Sequence, residues 1–94
     1  MIRRAMIKDI VGIAALVNKF AERGVMLHRS LEHLYEHVRD FHVAVDDENH
    51  VVGVCGLNIV WADLAEVYSL AVDASQQGKG LGSRLVEATI EDAR

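Results

Sequence analysis

Ser75-Gln76-Gln77-Gly78-Lys79-Gly80-Leu81-Gly82-Ser83 separates two segments of different periodicity. Before it, Glu66-Val67-Tyr68-Ser69-Leu70-Ala71-Val72 reads as a strand, and after it a helical pattern runs to the last residue. Strand, glycine-rich turn and helix start, in that order, make an anion site. Glycines let the backbone curl so that several N–H groups converge, and the first helical turn adds its free amides and the positive end of its dipole. A phosphate group suits such a place.

Two common phosphate loops do not fit the stretch. A Walker A loop needs Gly-Lys followed by Ser or Thr, whereas Lys79 is followed by Gly80. A dinucleotide fingerprint needs G-x-G-x-x-G after an early strand, whereas Gly78, Gly80 and Gly82 alternate and their strand comes late in the chain. The spacing that does fit is Q/R-x-x-G-x-G, filled by Gln77, Gly80 and Gly82. With Ala65-Glu66-Val67-Tyr68-Ser69-Leu70-Ala71-Val72 upstream and Ser83-Arg84-Leu85-Val86-Glu87-Ala88 downstream, it resembles the acyl-CoA pyrophosphate loop of the GCN5-related N-acetyltransferases (GNAT).

Composition narrows the classes. The 94 residues suffice for one modest core, burying somewhat over ~60% of the unfolded surface. A hydrophobic fraction of 51% and a charged fraction of 26% are those of a globular protein. The net charge of −4 argues against a nucleic-acid partner, which a basic surface would hold. The lone Cys55 cannot form an internal disulfide, so a reducing compartment is the default. With no signal-peptide pattern and no long apolar run, a soluble, cytoplasmic protein without a membrane partner is expected.

The chain reads as an α/β (α+β) protein in the order β-α-α-β-β-β-α. Ile2 to Ala5 suits an edge strand. Ile10, Ile13, Ala14, Val17, Phe20 and Ala21 recur at helical steps, with Asp9 early and Gly24 at the stop, giving a helix over roughly 8–22. After the connector Val25 to Arg29, Ser30 caps a second helix with Glu32 in its first turn. There Leu31, Leu34, Tyr35 and Val38 form one face, while Glu32, His33, Glu36, His37 and Arg39 form the other. His33 and His37 are four apart, but two ligands on a solvated face are half a metal site, and no metal is expected.

Phe41 to Val45 and Val51 to Val60 read as a hairpin about the polar turn Asp46 to His50. Gly53 and Gly56 inside the second strand mark a bulge or a close backbone approach. Cys55 between them reads as a small buried apolar residue rather than a nucleophile. Trp61-Ala62-Asp63 turns the chain into the strand Leu64 to Val72. The final helix places Leu85, Val86, Ile90 and Ala93 on one stripe, with Arg84, Glu87 and Glu91 outside.

The resemblance implies a GNAT-like mixed, mainly antiparallel sheet of about four strands with three helices. A family domain continues into another strand, a helix and a strand pair, so residues 1–94 are expected to form a single, partial acetyltransferase domain. It also implies acetyl-CoA as cosubstrate. By position, the Leu70 N–H is the implied oxyanion donor, Ala71 and Val72 contact pantetheine, and Gln77, Gly78, Lys79, Gly80, Leu81, Gly82 and Ser83 cradle the pyrophosphate. Glu66 matches the place of a glutamate general base. Strand alternation puts Glu66, Tyr68, Leu70 and Val72 on one face, where apolar neighbours would raise a carboxylate's pKa. The alternative is a solvated strand-end glutamate. Lys79 either screens pyrophosphate charge or is an exposed loop lysine.

Phe20-Ala21-Glu22-Arg23-Gly24, Leu27-His28-Arg29-Ser30, Gly53-Val54-Cys55-Gly56-Leu57 and Leu64 through Val86 are similar to the acetyltransferase domain of N-acetylglutamate synthases. That similarity implies transfer to an amino group, of glutamate for arginine biosynthesis, with Arg29 gripping a substrate carboxylate through two parallel hydrogen bonds. Arg29 alternatively only flanks the Ser30 cap. Tyr68 and Gly56 depart from residues common in that group. The family's acid is often a tyrosine from beyond residue 94, and neither Tyr35 nor Tyr68 is assigned that role. A rival reading is a truncated, non-catalytic module that binds CoA or pairs through an open sheet edge. A homodimer is expected in either case.

Overall fold

The computed structural model describes residues 1–22, 24, 30–61 and 64–92, with backbone alone at 59–61, 64 and 65. A four-stranded sheet is its frame: β1 (Ile2–Arg4), β2 (Phe41–Val45), β3 (Val51–Trp61) and β4 (Leu64–Val72), hydrogen-bonded in that order with every pair antiparallel. Helices α1 (Ile10–Glu22), α2 (Leu31–Glu36) and α3 (Leu81–Asp92) complete the expected β-α-α-β-β-β-α order. Three short 3₁₀ turns, Ile7–Asp9, Val38–Asp40 and Ala74–Gln76, join these elements.

The helices cover both faces of the sheet, and this explains the burial of all five residues of β2. On one face, Ile10, Ile13, Leu16 and Val17 of α1 and Leu34 of α2 pack against Phe41, Val43, Val45, Val54 and Ala71. On the other, Leu81 and Leu85 of α3 pack against Ala44 and Cys55, with Val52, Val72 and Val86 alongside. Each fully buried aliphatic side chain in these clusters contributes about 1.5–3 kcal/mol.

Local chemistry sets the helix ends. The Ser30 hydroxyl accepts from the His33 N–H at 3.0 Å, as expected of a cap. Gly24 has φ +75° and donates to the Ala21 carbonyl at 3.0 Å, closing α1. Asp9 does more than bias the dipole. It is buried, takes a two-pronged contact from Arg3 at 2.7 and 3.0 Å, and accepts the Met6 N–H at 2.7 Å.

Several sequence expectations change. Helix α2 ends at Glu36, and only Leu34 of its expected apolar face is buried, with Leu31 and Tyr35 exposed. On α3 the buried stripe is Leu81, Leu85 and Thr89, while Ile90 is exposed and Ala93 lies outside the described residues. Thr89 fits the core because its hydroxyl donates to the Leu85 carbonyl at 2.7 Å.

The larger change is in β4. Val54 pairs with Ala71 but Gly56 pairs with Tyr68, so Ser69 and Leu70 both stand opposite Cys55. This is a β-bulge, with Ser69 at φ +52°. The extra residue breaks the two-residue alternation. Tyr68 and Ala71 pack with the α1 cluster, whereas Val72 packs with the α3 cluster, so Tyr68 and Val72 do not share a face as alternation predicts.

Candidate functional site

Strand β4 closes the sheet at one side, and among the described residues no strand pairs with its outer edge. Val67 and Leu70 are exposed along it. The bulge lies in this edge strand, so Leu70, the expected oxyanion donor, sits where the ladder is interrupted. Ala71 is buried and Val72 half-buried just before the loop.

Asp73 turns β4 into the loop. Its N–H donates to the Val52 carbonyl at 2.8 Å, and its carboxylate accepts the Ser75 N–H at 3.1 Å and the Ser75 hydroxyl at 2.6 Å. These bonds hold the Asp73 carboxyl below its usual range, the Ser75 hydroxyl contributing most. Lys19 Nζ lies 3.5 Å from the same carboxylate and ties α1 to the loop.

Gly78 and Gly80 both take left-handed backbone, at φ +82° and +75°, and a Cβ on either would meet no heavy atom within 4 Å. Conformation, not crowding by the chain, is therefore what demands glycine there, and the space beside both is open to a ligand. The first backbone bond into α3 runs from the Arg84 N–H to the Gly80 carbonyl at 3.2 Å. It leaves the Leu81, Gly82 and Ser83 amides as free donors of the first turn. Leu81 is buried and anchors that turn, while Lys79 and Ser83 are exposed.

Gln77, exposed in the loop, also braces it. Its side-chain amide donates to the Val72 carbonyl at 3.0 Å, bracing the loop against the end of β4.

Glu66 lies at the other end of β4, exposed and opposite Asn58. It lines a cavity of about 270 Å³ with His33, His37, Asp40, Asn58 and Tyr68. The apolar surroundings expected for Glu66 are absent among these polar neighbours. The Tyr68 hydroxyl donates to Asp40 Oδ2 at 3.1 Å, and the same oxygen is 3.2 Å from His37 Nδ1. The His33 and His37 rings lie 4.4 Å apart. Among the described residues no three His, Cys, Asp or Glu side chains are grouped to hold a metal ion.

Sequence reasoning missed Asp40, His37 and Asn58 as site residues, because chain folding rather than spacing brings them together. Arg29 lies outside the described residues. Cys55 is fully buried, and burial pushes its thiol pKa up, as suits an inert core residue. Among the described residues no helix is long and apolar enough to cross a membrane.

An antiparallel sheet whose open, bulged edge strand runs into a left-handed glycine loop and a helix N-terminus can present backbone amides to an anion. The chain belongs to the acetyltransferase (GNAT) family, whose model matches residues 9–94. It is 41% identical over 86 residues to an uncharacterized N-acetyltransferase of Chlorobaculum tepidum, covering 92% of this chain and 55% of that protein. It is 35% identical over 96 residues to an amino-acid acetyltransferase of Mycobacterium tuberculosis, covering all of this chain and 55% of the relative. The fold superposes with a TM-score of 0.92, at 38% identity, on N-acetylglutamate synthase of Neisseria gonorrhoeae solved with coenzyme A and N-acetyl-glutamate, covering 100% of this chain and 22% of that one. The chain thus spans about half the length of those two relatives.

Proposed function

We propose that the chain serves transfer of an acetyl group from acetyl-CoA to the amino group of a small molecule, an amino acid such as glutamate in arginine biosynthesis. The observation that carries this reading is the Gly78–Gly80 turn, whose two left-handed glycines face open space beside the free first-turn amides of α3. That arrangement suits a pyrophosphate.

Acyl transfer needs the acceptor amine deprotonated, the thioester oxygen stabilised as it gains charge, and both reactants aligned. The bulge beside Leu70 supports its N–H as oxyanion donor, because the extra residue turns the backbone out of the regular ladder at that point. Ala71 and Val72 carry the pantetheine arm as an added strand would lie on the open edge. Gly78, Lys79, Gly80, Leu81, Gly82 and Ser83 hold the pyrophosphate, with Gln77 as the brace. Glu66 accepts the ammonium proton. The amino-acid acetyltransferase and N-acetylglutamate synthase relatives support an amino acid as acceptor, with Arg29 on its carboxylate. The buried, single Cys55 fits a reducing, cytoplasmic setting.

The open β4 edge also favours a second reading, pairing with another copy to give a homodimer. Pantetheine and a second strand would occupy the same edge, so CoA should dissociate such a dimer in sedimentation. Release of CoA thiol from acetyl-CoA, measured with glutamate and a panel of amines, tests the transferase reading. Acceptor-dependent release supports it, and a rate no faster than hydrolysis with every acceptor rejects it.

A further inference from the structure

Another cavity, of about 410 Å³, opens on the α3 side of the sheet, between the turn Val38–Asp40, β3 and the last turn of α3. We propose that it binds a free α-amino acid, with the ligand carboxylate on Arg39 and the ammonium on Oδ1 of Asp40. This binding does not rest on the transferase reading, since no step of it needs acetyl-CoA.

The charges on its wall are balanced. Two arginines and two aspartates line it, Arg39 and Asp40 consecutive on the turn, and Arg4 of β1 with Asp92 of α3. Arg4 and Asp92 satisfy each other at 2.7 Å. His42 lines the cavity as well, but burial pushes its imidazole pKa down, so it adds no charge at neutral pH. A lone anion or cation entering such a wall gains one partner and faces a like charge. A small molecule that carries both signs leaves the balance intact.

The turn is the side with capacity left. Arg39 is exposed and enters no ion pair among the described residues, and a guanidinium suits a carboxylate through two parallel hydrogen bonds. Asp40 accepts from the Tyr68 hydroxyl at 3.1 Å and lies 3.2 Å from His37 Nδ1, and both contacts fall on Oδ2. A carboxylate has two accepting oxygens, so Oδ1 can take an ammonium N–H. The Asp40 backbone is fixed, its N–H donating to the His37 carbonyl at 2.8 Å. An α-amino acid carries its ammonium and carboxylate on the same carbon, which matches a cation and an anion on consecutive residues. Leu57, half-buried on the same wall, offers apolar surface to its side chain. His37, Asp40 and Asn58 also line the cavity beside Glu66, so the two cavities share a wall.

Calorimetry on the whole chain without acetyl-CoA tests this with L-leucine, with L-leucinamide, which lacks the carboxylate, and with N-acetyl-L-leucine, which lacks the ammonium. L-Leucine should bind roughly tenfold or more tightly than either analogue, by one charge-assisted contact. Arg39→Gln should weaken L-leucine by a similar factor and leave L-leucinamide unchanged. Asp40→Asn should weaken L-leucine and leave N-acetyl-L-leucine unchanged. Arg39 is exposed, so its variant still reports where Asp40→Asn disturbs the contact with Tyr68. Glu66→Gln places the ligand: L-leucine affinity should hold there, because Glu66 lines the neighbouring cavity and not this one.

A parent chain that binds L-leucine no better than the two analogues, or not at all, would overturn the proposal, as would a loss in Arg39→Gln that L-leucinamide shares. Affinity that falls in Glu66→Gln and holds in Arg39→Gln would overturn it too, by putting the ligand beside Glu66. L-Leucine binding through Arg39 in a chain that releases no thiol from acetyl-CoA with any acceptor would instead sink the transferase reading and leave this one standing.

Discussion

Tyr68 covers Gly56. The two residues are directly paired across β3 and β4, and a Cβ on Gly56 would stand 3.0 Å from Cε1 and Cζ of the Tyr68 ring and 2.9 Å from Cε1 of Phe41. Gly56 and Tyr68 are therefore one packing unit, a glycine gap closed by an aromatic ring. Gly56→Ala should displace Tyr68 or the fully buried Phe41 and destabilise the fold by about 1–3 kcal/mol. Urea denaturation checks this, and a variant as stable as the parent would show that the ring does not need the gap.

The glycine loop makes a separate demand on stability. Gly78 and Gly80 are strained by any side chain despite the free space around them, so alanine at either should destabilise the loop by about 1 kcal/mol. Lys79→Ala should leave stability alone and weaken CoA binding by about 1 kcal/mol, as one exposed charge-assisted contact. A thermal melt and a CoA titration on each variant separate the two effects.

Acid should act most strongly through Asp9. Arg3 holds the Asp9 carboxyl below its usual range, chiefly by their hydrogen bonds. The folded pKa is lower than the unfolded one, so this contribution is complete above the unfolded value of about 3.9 and is lost as pH falls from there through the folded pKa. Asp9→Asn should cost roughly 3 kcal/mol at neutral pH and flatten the acid limb of the stability curve. An unchanged limb would show that another group governs it.

His42 gives a second, milder pH dependence. It is 7% exposed between β2 and α3, and burial pushes its imidazole pKa down despite Asp92 nearby. A lowered folded pKa means that the folded state binds fewer protons, so stability is full above the ordinary histidine value of about 6.5 and falls as pH drops below it. His42→Gln should remove that slope between neutral pH and the Asp9 limb. A slope that persists would assign it elsewhere.

Elements whose signal is local were legible in the sequence. The Ser30 cap, the Gly24 stop, the β2–β3 hairpin and the glycine loop each follow from a few adjacent residues, and the structure has them where expected. The length of α2 and the buried stripe of α3 were misjudged because Leu31, Tyr35 and Ile90 look apolar on a helical wheel, yet all three are exposed. The bulge at Ser69 was invisible because it depends on register against β3, and a single extra residue reversed the face of everything after it. The Asp40–Tyr68 contact spans 28 residues and had no spacing to announce it.

Calorimetric titration of CoA into the chain and into its Gly80→Val variant tests the central claim most directly. The account predicts saturable binding to the parent and a loss of at least tenfold in the variant, since a β-branched residue cannot take the φ of +75° that holds the amides in place. Equal affinity in the two proteins, or no binding to the parent, would contradict it.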